Sequence, residues 1–131
     1  MEILIIESDA PFAGRMREAL VARGAAVEVT SDGKDGLDRA HAHRPDAIVL
    51  AVELGDKLTG GYAYCNKLKK DDDLRSIPLV LISSQATPET FEQHRKLKTR
   101  AEEDLIKPLE PARVIEPLRA HVELAPPDVE M

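Results

Sequence analysis

Short aliphatic runs alternate with longer amphipathic stretches along most of the chain. The runs at 3–6, 46–52 and 77–82, the second of them apolar after its first residue Asp46, are typical of strands that are covered on both faces. Shorter segments at 26–30 and 104–106 complete five predicted strands. Apolar positions at helical spacing predict five helices in the intervening stretches, at 10–23, 31–43, 62–70, 87–98 and 111–122.

Local signals predict where these elements begin and end. Asp9 is a predicted N-cap with Pro11 in the first turn of its helix, and Gly24 is a natural stop. Arg44 precedes a proline, which disfavours helical backbone and ends the second helix. The Gly-containing stretch at 55–61 predicts a loop.

Strict alternation of strand and helix defines the predicted fold class. Right-handed crossovers between such units favour an α/β, doubly wound, five-stranded parallel sheet flanked by five helices. Ligands of such sheets bind at the carboxyl ends of the strands. The chemistry is therefore expected from Glu7–Asp9, Ala51–Glu53, Ser83, Ser84 and Lys107.

Length and composition narrow the possible functions. The 131 residues favour one domain at 1–123, followed by a Pro-rich tail or linker at 124–131 that could connect to a further C-terminal domain. A net charge of −6 and an aromatic share of 3% disfavour nucleic-acid binding. The single cysteine, Cys65, indicates a core residue in a reducing compartment. Without an apolar run of roughly 20 residues, we expect no membrane span and a cytoplasmic protein.

Four short phrases then carry a family resemblance. They are Ile3–Asp9, Arg44–Asp46, Gly61–Tyr62 and Ile106–Pro108, and their order and spacing match one pattern. From residue 2 to about residue 122, the chain resembles the receiver domain of bacterial two-component response regulators. The resemblance implies a flavodoxin-like, CheY-like fold and a cis Lys107–Pro108 peptide bond.

The resemblance also implies a phosphorylation site. In that family an Asp at the end of the third strand accepts a phosphoryl group, and Mg²⁺ binds neighbouring carboxylates. Carried over, the acceptor position falls on Ala51, whose methyl group cannot attack phosphorus. The acidic pair falls on Glu7 and Ser8, with Asp9 directly after. Since Mg²⁺ requires several well-placed oxygen ligands, we expect no metal and no cofactor.

Three further family positions lie near the last two strands. The Ser or Thr and the Lys that hold the phosphate fall on Ser83 and Lys107, which match the pattern. The aromatic residue that reports phosphorylation to a partner falls on Asp104, which does not. Loss of the acceptor, a metal ligand and the reporter together predicts a pseudo-receiver without enzymatic activity.

A narrower resemblance and a charge pattern suggest the role of this pseudo-receiver. With Ala51 and the triplet at 7–9, the phrases 68–74 and 93–98 resemble the pseudo-receiver of the Frizzy-type regulator of social gliding motility. The helix predicted at 87–98 is basic in an acidic protein, and His94, Arg95 and Lys98 form a candidate surface for an acidic protein partner. We expect this partner on the face formed by the fourth helix, the fifth strand and the fifth helix.

Two alternatives remain open from the residues. The chain could be a working phosphoreceiver whose acceptor is displaced to Glu53, Glu7 or Asp9. It could instead bind a small anion through Ser83 and Lys107. Against both stand simpler roles, because Glu7 can pair with Lys107 and Asp9 can cap a helix without any ligand.

Overall fold

The computed structural model describes residues 1–55 and 60–126, which form one parallel sheet with helices on both faces. The strands are Glu2–Ile6 (β1), Ala26–Thr30 (β2), Ala47–Ala51 (β3), Leu79–Ser83 (β4) and Glu103–Ile106 (β5). The helices are Ala10–Val21 (α1), Gly33–His43 (α2), Gly60–Lys70 (α3), Pro88–Arg95 (α4) and Ile115–Arg119 (α5), the last preceded by a 3-10 turn at Pro111–Val114.

The strand order is β2-β1-β3-β4-β5, and each neighbouring pair is parallel. The predicted α/β fold class, with five parallel strands and five helices, is therefore confirmed. Every residue of β3 and β4 is buried, which explains the apolar runs at 47–51 and 79–82. β3 is the central strand of the sheet, and its carboxyl end lies beside that of its neighbour β4.

The predicted helix signals are largely found where the sequence placed them. The Asp9 side chain accepts a hydrogen bond from the backbone N–H of Phe12 at 3.2 Å, so it is the N-cap of α1. Gly24 follows the helix with a φ of +87°, a conformation that suits glycine. At the end of α2, Arg44 adopts a left-handed conformation with a φ of +44°.

Several predicted helix boundaries differ from the structure. The second helix begins at Gly33 because Asp32 is its N-cap, and α3 begins at Gly60, inside the predicted loop. The fourth helix ends at Arg95 rather than residue 98, because the stretch after it offers no apolar side chain that the core buries; Leu97 is 47% exposed. The last helix is divided into the 3-10 turn and the short α5.

The start of α3 is packed directly onto the end of β3. The backbone N–H of Gly61 donates to the Val52 carbonyl oxygen at 2.8 Å. A Cβ atom at Gly61 would lie 2.1 Å from the Ala51 carbonyl oxygen, so no larger residue fits there without movement of the backbone. Gly61 therefore fixes how closely α3 approaches the end of β3.

The predicted tail at 124–131 lies partly outside the described residues, which end at 126. Its first residues are not frayed, because Ala125 and Arg23 exchange two hydrogen bonds, one of 2.8 Å from the Ala125 N–H and one of 3.2 Å from the Arg23 guanidinium. None of the helices within 1–55 and 60–126 is long and apolar enough to cross a bilayer.

Candidate functional site

The register of the sheet brings the predicted site residues to one edge. Ile6 is paired with Leu50, Ala51 with Ile82, and Ser83 with Ile106. The residues that follow the strands therefore meet at the carboxyl edge, where doubly wound sheets bind ligands.

Ala51 is the last residue of β3 and is 2% exposed. Its side chain is a methyl group, which has no lone pair for phosphorus or for a metal ion. An apolar side chain therefore lies at the carboxyl end of the central strand.

Glu7 and Lys107 form a buried ion pair beside this position. The Lys107 ammonium donates a hydrogen bond to the Glu7 carboxylate, and the Glu7 side chain is 1% exposed. The same ammonium lies 3.9 Å from an oxygen of Asp9 and 4.3 Å from the centre of the Phe12 ring. Burial raises the pKa of Glu7 above its usual value, and the hydrogen bond and charge of Lys107 partly oppose this shift.

The Lys107–Pro108 peptide bond is cis, as the resemblance implies. The predicted pairing of Glu7 with Lys107 and the predicted capping role of Asp9 are both present in the structure. Ser8 is engaged as well, since its hydroxyl accepts a hydrogen bond from the Gly55 N–H at 3.0 Å.

These residues do not fit the Mg²⁺ that the resemblance implies. Glu7 already binds an ammonium group, one Asp9 oxygen accepts from the helix, and Ala51 offers no side-chain oxygen. Within 1–55 and 60–126, no three His, Cys, Asp or Glu side chains come together in a way that could hold a metal ion. Because Mg²⁺ needs several oxygen ligands in octahedral geometry, we derive no chemistry through it.

Glu53 has contacts that the sequence did not reveal. Its carboxylate accepts hydrogen bonds from the Ser83 hydroxyl at 2.5 Å, the Ser84 N–H at 2.7 Å and the Ser84 hydroxyl at 3.1 Å. From the sequence, the specific role expected for Glu53 was only that of a displaced acceptor. The two serines at the carboxyl end of β4 were the available signal, because β3 and β4 are neighbours whose carboxyl ends meet.

Asp104, on β5, has a buried carboxylate. The Asp104 side chain is 2% exposed, and its nearest charged partner is the Arg95 guanidinium at 3.5 Å. Burial raises the pKa of Asp104 to about 6. Among the described residues, its second oxygen and the buried hydroxyl of Tyr62 have no hydrogen-bond partner.

The prediction that His94 belongs to an exposed partner surface is wrong. His94 is 6% exposed because it lies three residues after Phe91, on the helix face that packs against the core. Its ring centroid lies 5.1 Å from that of Tyr62, and its Nε2 lies 3.7 Å from the Cys65 sulfur. Cys65 is buried, as predicted for a core residue.

The other two residues of the candidate surface are exposed but separate. Arg95, at the end of α4, is 51% exposed and faces β5 through its contact with Asp104. Lys98 lies beyond the helix and lines a polar pocket with Arg75, Arg100 and His121. Since this pocket is at the amino ends of β4 and β5, the predicted basic helix is not one continuous surface.

Comparison with known proteins assigns the family. Residues 3–119 match the response regulator receiver domain, and the chain therefore belongs to this family. This match begins one residue into β1, includes the other four strands and extends through α5.

Curated relatives place the chain among bacterial signalling proteins. It is 28% identical over 120 residues to the polar-differentiation response regulator DivK of Brucella anthropi, covering 92% of this chain and 94% of DivK. It is 30% identical over 108 residues to the adventurous-gliding motility protein Z of Myxococcus xanthus, covering 82% of this chain but only 8% of that protein. It is 27% identical over 119 residues to the response regulator ArlR of Staphylococcus aureus, covering 91% of this chain and 51% of ArlR.

Solved structures have the same fold. The chemotaxis response regulator CheY4 of Vibrio cholerae superimposes with a TM-score of 0.80 at 20% identity, over 92% of this chain and 98% of CheY4. A response regulator from Chloroflexus aurantiacus gives a TM-score of 0.79 at 21% identity, over 91% and 94% of the two chains. The CheY-like architecture is therefore shared at low sequence identity.

Proposed function

We propose that this receiver domain is a pseudo-receiver, a module of a two-component or phosphorelay system that signals by binding a protein partner without being phosphorylated. The observation that carries the proposal is the methyl group of Ala51 at the end of β3. No nucleophile is available at the position where the family pattern places its acceptor. The domain then acts as a binding module and has no enzymatic activity of its own.

The contacts of the neighbouring carboxylates support this proposal rather than phosphorylation of a displaced acceptor. Glu7 is buried against Lys107, Asp9 caps α1, and Glu53 accepts three hydrogen bonds. A carboxylate that attacks phosphorus must present a free oxygen in line with the leaving group. Each of these three groups would first have to leave its present partners.

The partner is proposed to bind the face formed by α4, β5 and α5. Arg95 offers a cationic group there, and Ile106 is 38% exposed on β5. This combination suits an acidic protein surface with an apolar centre. The similarity to a gliding motility protein supports a role in motility regulation.

Phosphorylation is tested by incubating the protein with Mg²⁺ and acetyl phosphate and recording its intact mass. A receiver domain with Asp at the acceptor position is treated in parallel and must gain a phosphoryl group. We expect this protein to gain none, and we expect beryllofluoride to leave its melting temperature unchanged. An adduct mapped to Glu53, Glu7 or Asp9 would overturn the proposal and assign a displaced acceptor.

The partner face is tested by charge reversal. Arg95→Glu is compared with Arg17→Glu, which makes the same charge change at an exposed position on α1. We expect a partner identified with the unmodified protein to bind Arg17→Glu normally and to lose affinity for Arg95→Glu by about tenfold or more. Equal binding to both variants would remove Arg95 from the interface.

A further inference from the structure

The three groups that contact the Glu53 carboxylate form a compact donor set. The Ser83 hydroxyl, the Ser84 N–H and the Ser84 hydroxyl all donate to its two oxygens, at 2.5, 2.7 and 3.1 Å. Donors that converge on one negatively charged group form charge-assisted hydrogen bonds, which are stronger than neutral ones. This is the arrangement expected of an oxyanion-binding site.

The Ser83 hydroxyl donates one hydrogen bond and accepts two, which is its full hydrogen-bonding capacity. Ser83 is completely buried, and its oxygen accepts hydrogen bonds from the N–H groups of Gln85 at 3.2 Å and Ala86 at 2.9 Å. A hydroxyl has one proton to donate, and that proton points to Glu53. While Glu53 remains, Ser83 has no donor for a second anion.

We propose that Ser83 and Ser84 form an oxyanion-binding site whose resident ligand is the carboxylate of Glu53 from the same chain. This inference rests on the proposed function in one respect, because a domain that receives no phosphoryl group leaves these donors available to another anion. The site selects a carboxylate or a tetrahedral oxyanion. Glu53 occupies it at the effective concentration of an intramolecular group, which free phosphate does not match.

The occupied site also connects two loops. Glu53 lies between β3 and α3, whereas Ser83 begins the turn that leads to Thr87, the N-cap of α4. The carboxylate therefore holds the segment before α4 in one arrangement without any external signal. Removal of Glu53 frees both the donors and this segment.

The test is a phosphate titration of Glu53→Ala, followed through the amide NMR signals of Ser84, Gln85 and Ala86 against chloride at equal ionic strength. We expect saturable shifts at these amides, with an apparent affinity for inorganic phosphate at least about tenfold above that of the unmodified protein. Adding Ser83→Ala to this variant should abolish the gain. Glu123→Ala is the matched control, since it removes the same charge from an exposed position far along the chain.

Glu53→Gln provides a second variant if Glu53→Ala does not fold. Its single side-chain oxygen can accept from the Ser83 hydroxyl or from the two Ser84 donors but not from both, so one set of donors becomes available and the same amides should respond to phosphate more weakly than in Glu53→Ala. Equal phosphate binding by the unmodified protein and Glu53→Ala would overturn the inference, as would no binding by a folded Glu53→Ala. Both results are distinct from a phosphoryl adduct, which would overturn the proposed function. The phosphate titration would still decide whether Glu53 occupies this site.

Discussion

Arg95 and Asp104 join the exposed face of α4 to a buried carboxylate on β5. The distance from the Arg95 Nη1 to the Asp104 Oδ2 is 3.5 Å, and the two side chains are 51% and 2% exposed. One such long contact compensates little of the cost of removing a carboxylate from water. The structure therefore keeps a poorly compensated charge next to the face proposed to bind the partner.

This burial predicts that Asp104 makes stability depend on pH. Its pKa is raised from 3.8 to about 6 by burial and by the charge of Glu103, while Arg95 lowers it. Because the folded state binds this proton more tightly, the cost is complete above about pH 6 and disappears as the pH falls towards 3.8. Asp104→Asn should therefore stabilise the protein by about 1 to 2 kcal/mol at neutral pH.

The measurement is urea unfolding of the unmodified protein and Asp104→Asn across this pH range. The stability difference should shrink as the pH is lowered through the pKa of Asp104. Glu123→Gln, an exposed carboxylate replaced in the same way, should show no such change. A difference that stays constant with pH would show that the pKa of Asp104 is the same in the folded and unfolded states.

Removal of Lys107 is expected to leave a buried charge without a partner. Lys107→Met should destabilise the domain by about 3 kcal/mol at neutral pH, because Glu7 then remains ionised and buried. The loss should become smaller in acid, where a Glu7 of further raised pKa takes up a proton. Denaturant unfolding measures both effects.

The double variant Glu7→Gln with Lys107→Met is the control for that loss. It removes both charges, so its stability should lie within about 1 kcal/mol of the unmodified protein. If the double variant is as unstable as Lys107→Met alone, packing of the lysine side chain on Phe12, rather than the ion pair, is what stabilises this edge.

Gly61→Ala is expected to destabilise the junction of β3 and α3. Its methyl group would lie 2.1 Å from the Ala51 carbonyl oxygen and 2.5 Å from the Val52 Cα, both backbone atoms. We expect a loss of about 2 to 4 kcal/mol in the free energy of unfolding. Gly14→Ala in α1 is the control, since nothing lies within 4 Å of its added Cβ, and it should stabilise by about 0.5 to 1 kcal/mol. Similar effects at the two glycines would contradict the predicted steric role of Gly61.

Cys65 is expected to be unreactive until the protein unfolds. Burial raises the pKa of its thiol to about 12, and the same cause lowers the pKa of the neighbouring His94, so the imidazole is neutral and does not stabilise a thiolate. Alkylation of the native protein should therefore be slow, and its rate should rise with urea along the unfolding transition. Rapid alkylation without urea would indicate local opening between α3 and α4.

The fold could be predicted from the sequence because its signals are local and repeated. The apolar runs of β3 and β4 and the cap at Asp9 specify their elements within a few residues. Boundaries failed where tertiary contacts decide them, as at Gly60, where α3 starts early against the end of β3.

The candidate site was only partly predictable for a similar reason. Glu7 and Lys107 both follow strands at the carboxyl edge of the sheet, and complementary charge suggests their pairing although β3 and β4 lie between those strands. No spacing rule shows that the Glu53 side chain contacts the two serines at the end of β4, because this depends on a loop conformation. His94 was misassigned because its charge pattern indicated solvent, whereas its position three residues after Phe91 turns it to the core.

The methyl group of Ala51 also bears on how such a signal could vary in time. A covalent mark can be added and removed within the lifetime of one molecule, so a marked protein keeps a record of recent input. Under the proposed function, this domain keeps no such record, and each copy is in the same state from the moment it folds. The strength of its output would then follow the number of copies present, which places control in synthesis, degradation and the supply of the partner.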